Sequence, residues 1–90
     1  MKFTKYGTGP HTFYETPVIN GIRATIHGVH SIDSFYVNHG SRYKITIAKD
    51  VSDMKDFEVY QVMLSDRLTT AKELAEHFLN VWAANACKVA

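Results

Sequence analysis

Apolar and polar residues alternate through much of this chain, and the alternation gives way to a helical period near its C-terminal end. Ile22-Arg23-Ala24-Thr25-Ile26-His27 alternates with a period of two, the signature of a strand with one face buried and one face open. Before it stands Thr16-Pro17-Val18-Ile19, and between the two lies Asn20-Gly21. A two-residue type I′ turn needs positive φ at both central positions, which Asn-Gly tolerates best, so a hairpin is expected here.

A second hairpin is expected from Ser34-Phe35-Tyr36-Val37 and Arg42-Tyr43-Lys44-Ile45-Thr46-Ile47, both rich in β-branched and aromatic residues. Asn38-His39-Gly40-Ser41 supplies turn chemistry between them. The polar segment 49–56 reads as a loop. Phe57-Glu58-Val59-Tyr60-Gln61-Val62-Met63-Leu64 carries apolar residues on both faces, as a strand in the interior of a sheet would. Lys2 to Tyr6 reads as an opening strand.

The period then changes. Leu74, Phe78, Val81 and Trp82, with Ala75 beside them, recur at helical spacing and form one apolar stripe. Thr70-Ala71-Lys72-Glu73 has the form of a capping box, in which the Thr hydroxyl and the Glu carboxylate each satisfy a backbone N–H of the first turn. A single helix of this kind is stable only when packed, so it is expected across the sheet with Phe78 and Trp82 as its anchors. The chain thus predicts an α+β fold, an antiparallel sheet of four to five strands in a hairpin-rich meander, covered on one face by a C-terminal helix. Ile22, Ala24, Ile26, Tyr43, Ile45 and Ile47 should face the helix. Arg23, Thr25, His27, Arg42, Lys44 and Thr46 should form an open, mildly basic face.

Length and charge narrow the picture further. Ninety residues make one domain, 1–90, with one modest core. Hydrophobic residues at 46% and charged residues at 21% exclude disorder. A formal net charge of +1 opposes both a phosphate-driven nucleic-acid binder and an acidic nucleic-acid mimic. Cys87, the one cysteine, cannot close an internal disulfide, the N-terminus has no apolar signal-like run, and no stretch is long enough to span a membrane. A cytoplasmic protein is expected.

Candidate chemistry is sparse. Among the five histidines, His27 and His30 are closest, but three residues along a strand place them on opposite faces, and no second cysteine or HExxH pattern accompanies them. No metal or other cofactor is expected. Cys87 could use His77 as a base only across nearly three helical turns and about 80° of rotation, and a small inert thiol is the plainer reading. Asp50, Asp53 and Asp56 recur every third residue, whereas a calcium loop alternates its ligands and bends at a glycine. Gly7-Thr8-Gly9-Pro10 lacks the lysine and the strand–loop–helix setting of a phosphate loop. No catalytic constellation emerges, and an enzyme is not expected. Aromatic residues are plentiful at 12%. Core packing accounts for Phe57, Phe78 and Trp82, while Tyr6, Phe13, Tyr14, Tyr36 and Tyr60 exceed what so small a core can hold. Surface tyrosines serve interfaces well.

The N-terminus adds a resemblance. Met1-Lys2-Phe3, Lys5-Tyr6, His11 and Tyr14, followed by Val18-Ile19-Asn20-Gly21 and the alternating strand, resemble small phage anti-CRISPR proteins that inhibit type I-F surveillance complexes. The helix start Thr70-Ala71-Lys72-Glu73-Leu74-Ala75-Glu76-His77-Phe78 is similar in character. Close matching spans about the first fourteen residues, and the segment from His30 to Leu64 has no counterpart. The resemblance implies a non-enzymatic inhibitor in the host bacterial cytoplasm that binds the repeated Cas backbone subunit and blocks target DNA pairing. It carries Tyr6 over as a contact, within the intact Lys5-Tyr6 motif. The expected partner-binding set is therefore Tyr6, Lys5 and Tyr14 from the N-terminal match, with Arg23, Arg42 and Lys44 from the open sheet face. The alternative is a small nucleic-acid-binding module of phage or mobile-element origin, with Arg23, Arg42 and Lys44 meeting phosphates. Neither reading fixes the oligomeric state.

Overall fold

The computed structural model describes residues 1–51 and 54–89, with side chains except at Met54 and at positions 87–89. Five strands form one antiparallel sheet in the order of the chain: β1 (Thr4–Tyr6), β2 (Phe13–Glu15), β3 (Ile22–His27), β4 (Tyr43–Lys49) and β5 (Val59–Ser65). A 22-residue helix, α2 (Leu68–Val89), packs on one face against β3, β4 and β5. The fold is thus the expected α+β meander under a C-terminal helix. Among the described residues, no helix is long and apolar enough to cross a membrane.

The Asn20-Gly21 turn forms as its sequence dictates, but the expected arm 16–19 is not a strand: it holds an isolated bridge from Ile19 to Ile22, and the strand that precedes β3 and pairs with it is β2. Asn20 and Gly21 take φ of 52° and 78°, and Ile19 and Ile22 exchange backbone hydrogen bonds of 2.9 and 3.0 Å across the turn. The turn is also tied to the helix: the Asn20 side-chain amide donates to the Ala83 carbonyl at 2.9 Å. One residue does two jobs here, since it bends the hairpin and fastens it to α2.

The second hairpin takes a different form. Ser34–Asn38 is a short helix, α1, not a strand, and β4 pairs with β3 and β5 instead. Local capping outweighs β-propensity in this stretch: the Asp33 carboxylate accepts from the Phe35 N–H at 2.9 Å, fixing a first helical turn. The backbone leaves the helix through Gly40 at φ 97°. Phe35 and Tyr36 consequently stand exposed rather than in a pleat.

The alternation in β3 and β4 sorts the faces as expected. Ile22, Ala24, Ile26, Ile45 and Ile47 are buried under α2, with Tyr43 partly buried beside them. The helix seam, however, is made of Ala71, Ala75, Leu79 and Ala83, all buried, while Leu74, Phe78 and Trp82 flank it half-buried and Val81 is exposed. Three alanines let the helix sit close to the isoleucines of the sheet, and the large residues close the margins. Phe78 and Trp82 are therefore edge seals, and Leu79 is the deepest knob. The helix also begins earlier than its capping pattern suggests. The Ala71 N–H bonds to the Arg67 carbonyl at 2.9 Å, so Thr70 lies inside the first turn and is not the cap.

β5 is an edge strand, not an interior one. A bulge explains its unusual pattern: Ile47 pairs with Gln61 and Ala48 with Val59, leaving Tyr60 unpaired. The extra residue keeps both Tyr60 and Gln61 on the helix side. There Tyr60 stacks on Trp82 at 5.1 Å, and Gln61 accepts from the Trp82 indole N–H at 2.8 Å. Phe57, expected in the core, lies before β5 and is 46% exposed.

Candidate interaction face

The surface opposite α2 is built from alternate residues of all five strands. Antiparallel register sets Tyr6 opposite Phe13, Phe13 opposite His27, His27 opposite Lys44 and Lys44 opposite Leu64. Paired residues point the same way, so these five form one row across the sheet. A second row runs Thr4, Glu15, Thr25, Thr46 and Val62.

The first row is an aromatic ladder. Tyr6 stacks on Phe13 with centroids 5.3 Å apart and planes 19° from parallel, and Phe13 stacks on His27 at 5.3 Å and 22°. Phe13 therefore has both ring faces engaged by its neighbours. The imidazole of His27 is held below its ordinary pKa of 6.5, first by desolvation and then by the Lys44 ammonium, with the Glu15 carboxylate acting in the opposite direction. At neutral pH it is an uncharged ring in a stack.

Charge on this face comes from Lys44 in the first row, Glu15 in the second and Arg23 beside them. Arg23 donates to Glu15 at 2.8 Å and to Asp50 at 2.7 Å. Its Nε is buried without a hydrogen-bond partner among the described residues. The guanidinium is thus committed within the chain. Lys44 lines a shallow hollow of about 570 Å³ together with Phe13, His27, Phe57 and Val62 and the polar Glu15 and Thr46. Val59 is 44% exposed and Val62 50%, which makes the β5 side of this face an apolar patch.

The expected partner-binding residues divide between the two faces. Tyr6, Arg23 and Lys44 lie on the open face. Lys5 and Tyr14 belong to the helix-facing row, since Lys5 pairs with Tyr14 and Tyr14 with Ile26. Tyr14 packs against the core, with the Lys72 ammonium 5.1 Å from its ring centroid. Arg42 precedes β4 and borders a separate hollow with Gly9, His30 and Asp66 at one end of the sheet. The three cations do not form one basic face. Phe13, His27, Phe57, Val59 and Val62 were missed as candidate site residues. Strand alternation placed His27 on this face, whereas the outward valines of β5 gave no such signal, because apolar residues on both faces read as an interior strand.

The histidines do not converge. His27 sits in the ladder, while His30, in a short 3-10 helix, lies beside His11 with ring centroids 5.5 Å apart. Among the described residues, no three His, Cys, Asp or Glu side chains come together as a metal site would require. Asp53 and the Cys87 side chain fall outside the described residues, and Asp50 is engaged by Arg23. Compared with known protein families, curated protein sequences and solved structures, the chain matches none.

Proposed function

We propose that this chain is a non-enzymatic protein-binding inhibitor that docks through the sheet face opposite α2, and that its partner is the Cas backbone subunit of a type I CRISPR surveillance complex. The observation that carries the first part is the chemistry of the face. Its exposed large hydrophobic members are Phe57, Val59, Val62 and Tyr6, apolar or amphipathic groups that gain by leaving water. A phosphate-binding surface would offer free cations. Here Arg23 is spent on Glu15 and Asp50 and Arg42 lies elsewhere, so of the three expected cations Lys44 is the one left to this face. A single-strand binder would offer open ring faces for bases. Here the central ring, Phe13, is enclosed by Tyr6 and His27, and the exposed rings of this face are those of Tyr6 and Phe57.

The choice of partner rests on the N-terminal resemblance, and the position of Tyr6 supports it. The side chain ends the ladder at the sheet margin and is 44% exposed, so it is available for contact. Target-DNA binding by a purified type I-F surveillance complex, measured with and without this protein, tests the proposal. Loss of the DNA complex, with the protein co-eluting with the surveillance complex, is the expected result. Unchanged DNA binding without co-elution would sink this choice of partner. Retention of the chain on generic duplex DNA, falling steeply with salt, would instead favour the nucleic-acid reading.

A further inference from the structure

The two edges of the sheet are unlike. β1 is three residues long with Lys5 at its centre, the usual protection of an exposed edge. β5 is seven residues long and carries no charge, proline or glycine. No backbone hydrogen bond joins its outer side to any described residue. Beyond the bulge at Tyr60, five residues run regularly: Gln61, Val62, Met63, Leu64 and Ser65.

We infer that this edge pairs with the same edge of a second copy, antiparallel about a two-fold axis through Met63. The segment reads the same in both directions by polarity: polar, apolar, Met, apolar, polar. A two-fold interface requires that if one residue meets another, the second meets the first. An axis at Met63 satisfies this at every position. Val62 meets the partner's Leu64 twice on the open face, and Gln61 meets the partner's Ser65 twice on the helix side. No like charges are opposed within the five. An axis at Val62 would instead bring the bulged Tyr60, which points toward the helix, against the partner's Leu64, which points away. It would also set Glu58 against the partner's Asp66. The product is a ten-stranded sheet with both open faces on the same side.

Sedimentation velocity from about 1 to about 500 µM tests the pairing, since mass action makes a dimer concentration-dependent. The expected species at high concentration is twice the 10.2 kDa chain. Val62→Lys, at a half-exposed position, should weaken the dimer at least tenfold while leaving the circular dichroism spectrum unchanged. Register is tested by mixing chains: Val62→Lys with Leu64→Glu should form a heterodimer at least tenfold tighter than either homodimer, because position 62 faces position 64 of its partner. Should Leu64→Glu fail to fold, amide exchange replaces the mixing test, with outer-edge amides of β5 slowing at least tenfold as concentration rises. A chain that stays monomeric at the highest concentration overturns the inference. So does a dimer that Val62→Lys leaves intact, or one that shows neither the mixed pair nor protection at β5.

Discussion

Asn20 shows how much one side chain can decide. Its backbone supplies the left-handed conformation the turn needs, and its amide reaches the Ala83 carbonyl of α2. Two substitutions separate these roles. Asn20→Gly keeps the positive φ at no steric cost and loses only the hydrogen bond, so it should destabilise by about 0.5–1.5 kcal/mol in urea unfolding. Asn20→Ala also forces an L-residue with a Cβ into that conformation and should cost about 1–2 kcal/mol more. Equal losses in both variants would show that the turn geometry carries no weight. The dipeptide was legible as a turn because its requirement is local. Its bond to a residue 63 positions away was not, because nothing local encodes it.

His27 is the second residue whose setting makes a measurable claim. Burial and Lys44 lower its pKa in the folded state below 6.5, against the opposing pull of Glu15. The unfolded chain therefore takes up a proton at this position more readily than the folded one. The stability it contributes is present above pH 6.5 and is lost as pH falls through that value toward the folded pKa. Thermal unfolding followed from pH 7.5 down to 5 should show Tm falling in that window. His27→Gln, neutral throughout, should flatten this part of the profile; an unchanged slope would mean that His27 is not its source.

At the scale of elements, α2 illustrates what a hydrophobic stripe conceals. Reading by size selects Leu74, Phe78, Val81 and Trp82 with Ala75 beside them, yet the buried line is Ala71, Ala75, Leu79 and Ala83, which shares only Ala75 with it. The two lines are neighbours on the same helix. The choice between them depends on how closely the helix approaches the sheet, a tertiary quantity that periodicity does not contain. The packing predicts a ranking. Ala75→Leu overfills a seam with no space and should cost about 1–3 kcal/mol, and Leu79→Ala leaves a cavity worth about 2–5 kcal/mol. Val81→Ala, at an exposed site, should stay within about 0.5 kcal/mol. If Val81→Ala proved the most damaging of the three in chemical unfolding, the helix would be rotated from the position described. α1 was missed for a related reason. Phe35 and Tyr36 have strand propensity, but the Asp33 cap and the absence of a pairing partner prevail. β5 was found, but its place at the edge was not, because apolar residues on both faces suit an interior strand and an edge awaiting a partner equally well.

For the molecule as a whole, the question is which surface meets a partner, and the charges answer differently from the sequence. Alternation put Arg23, Arg42 and Lys44 together as a basic face. The fold ties Arg23 to two carboxylates, moves Arg42 to the end of the sheet and leaves Lys44 between His27 and Leu64 on the open face. Two substitutions on that face therefore separate the readings. Val62→Asp puts a charge in the centre of the apolar patch without touching the core, so stability should change by no more than about 0.5 kcal/mol. Capture of the proposed partner should weaken at least tenfold, about 1.4 kcal/mol. Arg23→Ala removes a cation already neutralised by Glu15 and Asp50, and should leave capture within about threefold, since paired surface ions contribute little. Phosphate recognition by this face would reverse that order, with Arg23→Ala harmful and Val62→Asp harmful only through its charge. Tyr6→Ala then reads the far end of the same face: weakened capture with unchanged Tm places Tyr6 in the interface, whereas a fall in Tm would make the Tyr6–Phe13 stack a part of the fold.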